Sequence, residues 1–394
     1  MLGHAQTYRA EIRATQGGGL WATVEALAEV SWGRTLDDYS EASIVVAKEN
    51  ATDRCCNLLG QVRTWGHELA IYRDDEFVWQ GPITQKSEFR SRFEFSARDM
   101  LAWFDRRRNT RPYQWVEPTE QQPHGLGARR VDELLREIIA DATGQADPWR
   151  GGVFVGDIPA RGTLQAEQRY EKNLGDLIRD LLGYGVDAFT IGRQVFFVSE
   201  ATSQAHTPRT LHEGDFLADL EVREIGLDGA TRAAVVGQQP QLPVGQGGVQ
   251  QPSQLAAPVG VYPASGGVEP FFGLLFTGHQ STTATDEQAC RDLARIAVAY
   301  GNPPPVSIVV PANTQLSPEA PISVHDIVPG RRVRVLLDSY YTPAQQDFLW
   351  NELSVMASVT GEGMAEQVQV SVTSKGSAVV GDGRSPADGA AVAS

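Results

Sequence analysis

The side chains best placed to do chemistry in this sequence are neighbouring acids: Asp37-Asp38, Asp74-Asp75 and the pair His212-Glu213. Two carboxyl groups roughly 5 to 10 Å apart can serve as acid and base across a glycosidic bond. Their settings favour a plainer role. Asp74-Asp75 separates two apolar arms that begin at Leu69 and end at Trp79, which is where a turn between strands belongs. Asp37-Asp38 also reads as a turn, and His212-Glu213 falls in a connecting segment. Asp53, Asp99 and Asp132 each precede a short run that can be helical, so all three read as helix caps.

Other routes to catalysis lack their residues. No Gly-x-Ser-x-Gly elbow, no Gly-Lys-Ser/Thr phosphate loop and no His-x-x-x-His pair occurs, and the seven histidines are scattered. Gly245-Gln-Gly247-Gly248 has neither the strand before it nor the helix after it that a dinucleotide site requires. Cys55, Cys56 and Cys290 cannot build a disulfide framework or a structural zinc site, and are expected to be buried or half-buried thiols. Arg106-Arg107-Arg108, extended by Arg111, could hold an anion, but follows the apolar run Met100 to Phe104 as a basic helix end would. Asn50-Ala-Thr52 matches a glycosylation sequon by chance. No catalytic, cofactor-binding or metal-ligating residue is assigned, no cofactor is expected, and the chain is read as no enzyme.

Charge narrows the partners. A formal net charge of −15 leaves no basic surface from which phosphate contacts could gain counterion-release free energy, although DNA could still slide past. The 34 basic residues include only four lysines, a skew better explained by GC-rich coding than by function. With 41% apolar and 21% charged residues the chain should fold, and at 394 residues as two or three domains. No apolar run approaches a membrane span and no leader pattern opens the sequence, so synthesis in a cytoplasm is expected.

The elements that must carry these residues are mostly strands. Phe89, Phe93, Phe95 and Ala97 alternate with Arg90, Arg92, Glu94 and Ser96, the period of a half-buried strand. Earlier strands are expected at Tyr8 to Thr15, Leu20 to Trp32 and Ala42 to Val46. Residues 111–212 change character to an α+β module. One helix is capped by Asp132 and ended by Gly144, a second carries Leu174, Leu177, Ile178, Leu181 and Leu182 and ends at Gly183, and a hairpin turns at Gly192-Arg193. A second β region covers 213–237 and 271–375, with a helix over 285–300 whose apolar stripe is Leu293, Ile296, Ala297 and Tyr300, capped at Thr285. Its later strands are expected at Val306 to Val310, Arg332 to Leu337 after the Pro329-Gly330 turn, Leu349 to Thr360 and Gln367 to Val372. Residues 238–270 are a low-complexity loop, and 376–394 a flexible tail. The fold class is therefore α+β and β-rich, with a first β domain at 1–110.

At Val78-Trp-Gln-Gly-Pro-Ile83, at Ser96-Ala-Arg-Asp-Met-Leu-Ala-Trp103 and at Ile327-Val-Pro-Gly-Arg-Arg-Val-Arg-Val-Leu336 the sequence resembles minor tail proteins of long-tailed phages infecting actinobacteria. The resemblance spans roughly residues 1 to 375, with the Gln/Pro/Gly insertion as its main departure. It implies a baseplate hub: a homotrimer in the virion tail tip, each subunit with two tube-like β-barrels flanking the module, so that six barrels face a hexameric tube. The partners it implies are further copies of the chain, a distal tail protein, a tape measure protein and other tail-tip or fibre proteins. Genomic DNA would pass through the lumen without specific binding. The alternatives are a receptor- or carbohydrate-binding tail protein, to which some of the eight tryptophans could contribute, and a tail-associated cell-wall hydrolase. Trp79 and Trp103 occupy apolar positions that suit a core, and with about 20 residues after the last expected strand no lytic domain is expected.

Overall fold

A computed structural model describes residues 1–15, 18–108, 129–130, 135–136, 138–140, 154–155, 163–164, 173–182, 186–198, 206–224, 226–237, 257–266, 273–280, 287–302, 306–341, 343–360, 363–374 and 379–380. The protein is β-rich and divides into two compact units. The first comprises Met1–Asp219, Val310–Val335 and Asp347–Ser374; the second comprises Leu220–Val309, Leu336–Gln346 and Lys375–Ser394.

The first unit opens with strands β1 (Tyr8–Ala14), β2 (Leu20–Val24), β3 (Leu27–Thr35) and β4 (Glu41–Ala47). The expected single strand over 20–32 is two strands, because Ala26 takes a left-handed φ of 54° and redirects the chain. β2 pairs with β1, whereas β3 pairs with β4. After a helix at Asp53–Gly60 come β5 (His67–Arg73), β6 (Glu76–Glu88) and β7 (Arg92–Arg98). That helix is capped by Thr52, whose Oγ1 accepts from the Cys55 amide at 3.2 Å; Asp53, expected as the cap, stands in the first turn. The β5–β6 hairpin turns on Asp74 and Asp75 with φ of 49° and 64°, the left-handed pair that matches strand twist. Asp74 Oδ1 also accepts from the amides of Gln6 and Thr7 at 2.7 and 2.9 Å.

Alternation in β7 is as expected for Phe93, Phe95 and Ala97, each at most 1% exposed. Phe89 departs from it. It belongs to the turn into β7, is 43% exposed, and carries the Arg92 guanidinium 4.4 Å over its ring.

Short strands β8 (Arg129–Arg130), β9 (Phe154–Val155) and β10 (Thr163–Leu164) precede the helix Leu174–Leu182 and the hairpin of β11 (Asp187–Ile191) and β12 (Gln194–Val198). The module core holds Leu174, Leu177, Ile178 and Leu182 of that helix, and draws in Met100, Leu101, Trp103 and Phe104 from the end of the first β segment. Asp132, Arg111, Gly144 and Gly183 lie outside the described residues, as does the side chain of Leu181.

Next come β13 (Arg209–His212), β14 (Glu221–Glu224), β15 (Arg232–Val236), β16 (Val259–Tyr262), β17 (Phe276–Gln280), β18 (Val306–Val309) and β19 (Thr314–Gln315). The chain closes with β20 (Arg332–Leu337), β21 (Ala344–Thr360), β22 (Gly363–Ser374) and β23 (Val379–Val380). In the first unit the strands run β13-β20-β21-β3-β4-β7-β6-β5-β1-β2, an open path among the described residues. The first and second β regions, read from sequence as separate domains, thus share one sheet: β3 pairs antiparallel with β21, from Glu29 opposite Ser358 to Thr35 opposite Glu352. Alternation reports which face of a strand is buried and is silent on which edge it offers, so this pairing left no mark in the sequence.

In the second unit β14 pairs with β18, and β16-β15-β17 form a three-stranded sheet under the helix Glu287–Gly301. β16 lies inside the stretch 238–270 expected to be a low-complexity loop, of which 238–256 and 267–270 are outside the described residues. Gly260 lets it form: a Cβ there would stand 2.1 Å from the Arg291 amide nitrogen. The helix faces the sheet through Cys290 and Ala294, with Ala297 and Val298 partly buried, while Leu293 and Ile296 of the expected stripe remain 38% and 59% exposed. The Tyr300 side chain and the expected Thr285 cap lie outside the described residues. β23 falls within the expected flexible tail and pairs with Ala344 and Gln345; most of that tail, 381–394, is outside the described residues.

Candidate functional site

The outward face of β3, β4, β7 and β21 carries mostly polar side chains, with Met356, 46% exposed, among them. Across it runs a row set by register: Gln85 opposite Ser96, Ser96 opposite Ser43, Ser43 opposite Ser31, Ser31 opposite Met356, and Met356 opposite Gln367. Ser31 and Ser43 share a hydrogen bond of 2.8 Å. A groove of about 700 Å³ follows this face and a second hollow of about 410 Å³ continues it toward Glu29, Ser358 and Ala365. The opposite face of the same strands carries Trp32, Ile44, Phe95 and Val355, all buried, so the polar row is the outward half of a period-2 pattern.

The charges on that face are arranged unequally. Glu29, Glu41, Glu94 and Glu352 project from β3, β4, β7 and β21, against Arg92 and Arg98 of β7, which leaves two formal negative charges in excess. Both guanidiniums are engaged. Arg98 Nε donates to Glu41 at 3.0 Å and Arg92 Nε to Glu94 at 2.6 Å. Gly33 stands in the same face where a Cβ would meet the Leu353 carbonyl oxygen at 2.7 Å, so the wall between β3 and β21 is smooth by necessity.

Behind the face, buried polar groups fix the sheet. Asp99 is completely buried; its Oδ2 accepts from the Ser40 amide and hydroxyl, both at 2.7 Å, and Oδ1 accepts from the Leu101 amide at 2.9 Å. Trp79 Nε1 donates to the same Ser40 hydroxyl at 3.1 Å. Burial pushes the Asp99 carboxyl up to about 6, although its bonds from Ser40, Thr190 and Leu101 oppose that. Asp99 therefore does more than begin the short helix Leu101–Phe104. Arg34, which sequence reasoning passed over, is 3% exposed and donates to the carbonyls of Val324, Ile327 and Val78 at 3.1 to 3.2 Å. It ties the Val78 and Ile327 segments together across the fold.

The β11–β12 hairpin docks on this unit at both ends. At its tip Arg193 bonds Glu68, which is fully buried, at 2.8 and 2.9 Å, and the Thr15 carbonyl at 2.8 Å. At its base the Asp37 amide donates to the Ala188 carbonyl at 2.7 Å and Asp37 Oδ1 accepts from the Ala188 amide at 2.8 Å. Burial raises the Asp37 carboxyl, the Ala188 amide offsets part of this, and the adjoining Asp187 carboxyl pushes it to about 7. The Asp37-Asp38 turn is thus an anchor.

The raised Asp37 carboxyl has a measurable consequence. The folded value stands above that of the unfolded chain, so its stabilisation is complete below about pH 4 and lost as the pH rises through about 7. Asp37→Asn keeps the acceptor for Ala188 and removes the like charge. Its thermal midpoint should exceed that of the parent at about pH 8 and approach it at about pH 5; equal midpoints at both would show that the Asp37 carboxyl is not raised.

The remaining candidates stay scattered. His212 ends β13 and its amide is capped by Asp215, with Glu213 in the following turn. Arg106 and Arg107 lie over the rings of Trp65 and Trp103, as a basic helix end packs on aromatics, and Arg108 bridges to Asn173. Cys55 and Cys290 are buried free thiols and Cys56 is half-buried. Trp79 and Trp103 are each 3% exposed. Gly245 to Gly248 lie outside the described residues. Among the described residues no cluster of three or more His, Cys, Asp or Glu could hold a metal ion, and no helix is long and apolar enough to cross a membrane.

No family model and no curated protein matches the chain. Among solved structures it is similar to the tail protein from Neisseria meningitidis MC58, at 11% identity over 97% of this chain and 98% of that one, with a TM-score of 0.49. It is similar also to the 43 kDa tail protein of prophage MuSo2 from Shewanella oneidensis, at 11% identity, 92% and 97% coverage and a TM-score of 0.49. A third is the prophage tail protein gp18 from Listeria monocytogenes EGD-e, at 11% identity, 92% and 94% coverage and a TM-score of 0.49.

Proposed function

We propose that the chain is a structural, non-enzymatic subunit of a phage tail tip, a hub of three copies that joins a sixfold tube to a threefold tip around a channel for DNA. The observation that carries this reading is the sheet face: serines, glutamines, a threonine and a glycine around one exposed methionine, two guanidiniums each held by a carboxylate, and carboxylates in excess. Phosphate adheres to proteins by displacing counterions onto free cations. A wall whose cations are already paired, with negative charge to spare, repels the backbone over about 8 Å at physiological salt. DNA passes along it without sticking. In this reading the strands before residue 110 and those after 213 form two tube-like walls per copy, and distal tail, tape measure and fibre proteins adjoin the hub in the virion. The sequence resemblance at Val78 to Ile83 and Ile327 to Leu336 supports the same reading, since Arg34 joins those two segments.

The charge argument is tested by adding cations to the face. Glu29→Lys with Glu352→Lys should confer duplex-DNA binding at about 0.15 M salt that weakens steeply as salt rises, while the parent shows none. Tight DNA binding by the parent, abolished by neutralising Arg92 and Arg98, would overturn the reading.

A further inference from the structure

Both guanidiniums on the outward sheet face are held in the same way. Arg98 donates through Nε to Glu41, and its guanidinium carbon lies 4.2 Å from the centre of the Tyr39 ring. Arg92 donates through Nε to Glu94, and its guanidinium carbon lies 4.4 Å from the centre of the Phe89 ring. Each cation is thus fixed on two sides, by a carboxylate at its edge and an aromatic ring against its plane. The half-open Phe89 ring has its use here. As staples the two pairs are weak: all four charged side chains are more than a third exposed, and an ion pair in that setting adds little to stability, unlike Arg193 with the buried Glu68.

Their placement answers a different need. Arg92 opens β7 and Arg98 closes it, a separation of roughly 20 Å in extended chain. That exceeds two Debye lengths at physiological salt, so a carboxylate beside one guanidinium does not screen the other. A lone guanidinium on this face would be a phosphate contact, because its forked donors match phosphate oxygens. With a carboxylate at contact distance it presents a short dipole instead, and the field of a dipole dies away faster than that of a charge. We propose that Glu41 and Glu94 make this face indifferent to the phosphate diesters of DNA, each masking one guanidinium while Tyr39 and Phe89 keep that guanidinium against its mask. The inference rests on the channel-wall reading above and assigns its lack of adhesion to two local contacts; the excess charge on Glu29 and Glu352 adds repulsion at longer range.

The test sets two double variants of equal charge against each other. Glu41→Gln with Glu94→Gln frees both guanidiniums, whereas Glu29→Gln with Glu352→Gln removes the same two charges and touches neither pair. Binding of a short DNA duplex is followed by fluorescence anisotropy across a salt titration. Thermal midpoints confirm folding, and serine replaces glutamine in any variant that unfolds. The first variant should bind on the order of 10-fold more tightly than the second at about 0.05 M salt. Its log–log salt dependence should be steeper by about two, close to one counterion for each guanidinium freed. Replacing Arg92 and Arg98 with glutamine in the first variant should abolish the gain. Equal affinity and slope in the two double variants, or a gain that survives loss of both arginines, would overturn the masking and leave the channel-wall reading standing, since net charge alone would then govern adhesion. Tight binding by the parent would sink the channel-wall reading and the masking with it.

Discussion

Replacing Glu366 with alanine is expected to destabilise the first unit by about 3 to 5 kcal/mol, the usual cost of leaving a buried charge without its partner. Glu366, in β22, has a side chain 1% exposed and receives Arg73 Nε at 2.9 Å, Arg73 Nη2 at 2.8 Å, the Ala5 amide at 2.9 Å and the Tyr8 hydroxyl. Arg73 also donates to the carbonyls of Leu2 and Gly3. One carboxylate thereby fastens the N-terminus, β1 and β5 to a strand from the far end of the chain. Removing it leaves the Arg73 guanidinium, 12% exposed, with the two carbonyls and the Asp74 carboxylate at 3.8 Å as its remaining partners. Burial pushes the Glu366 carboxyl up, but Arg73, Tyr8 and the Ala5 amide outweigh burial and hold it below the usual carboxylate range. Its stabilisation is therefore present above the unfolded carboxyl value and is lost as the pH falls through the folded one. The thermal midpoint should drop by roughly 10 °C in Glu366→Ala at neutral pH, and its distance from the parent should shrink on acidification. A variant with the parent's midpoint would mean that the two ends of the chain hold together without this contact.

Gly81→Ala is the second large effect. Gly81 lies mid-strand in β6, and a Cβ there would stand 1.9 Å from the Arg98 carbonyl oxygen and 2.8 Å from the Trp79 ring. Neither a backbone carbonyl inside a sheet nor a tryptophan 3% exposed can step aside cheaply. The substitution should cost about 3 kcal/mol, at the upper end for overpacking, and lower the denaturant midpoint accordingly. Gly214→Ala, where no atom lies within 4 Å of the added carbon, is the matched control and should change little. Equal midpoints for the two would show that β6 and β7 have slack in their register.

These two positions show what could be read in advance and what could not. Local patterns carried well: the Asp74-Asp75 and Gly192-Arg193 turns, the alternation of Phe93, Phe95 and Ala97, and the Gly330 turn, at a φ of 78°, all follow from constraints within a few residues. The tie between Arg73 and Glu366 spans 293 residues, and nothing local marks either as buried. The same holds for Glu68 and Arg193 and for Arg34, charged residues that composition assigns to the surface. The polar face was half visible: alternation in β7 set Glu94 and Ser96 outward, but the row exists only because β3 lies between β4 and β21. On the 287–301 helix the apolar residues outnumber one face, so periodicity alone could not say which side meets the sheet. β16 was missed because Val259-Gly-Val-Tyr262 is a run of four residues, too short to stand out from the Gln, Pro and Gly residues around it.

A reconstruction of the assembled tail with the chain placed in it tests the channel-wall account most directly. The account predicts three copies around the tail axis, with Ser31, Ser43, Ser96, Glu29 and Glu352 turned to the lumen and the core face of Trp32 and Phe95 turned away from it. A chain found on a side fibre, or a hub whose lumen is lined by another surface while this polar face looks outward, would contradict it.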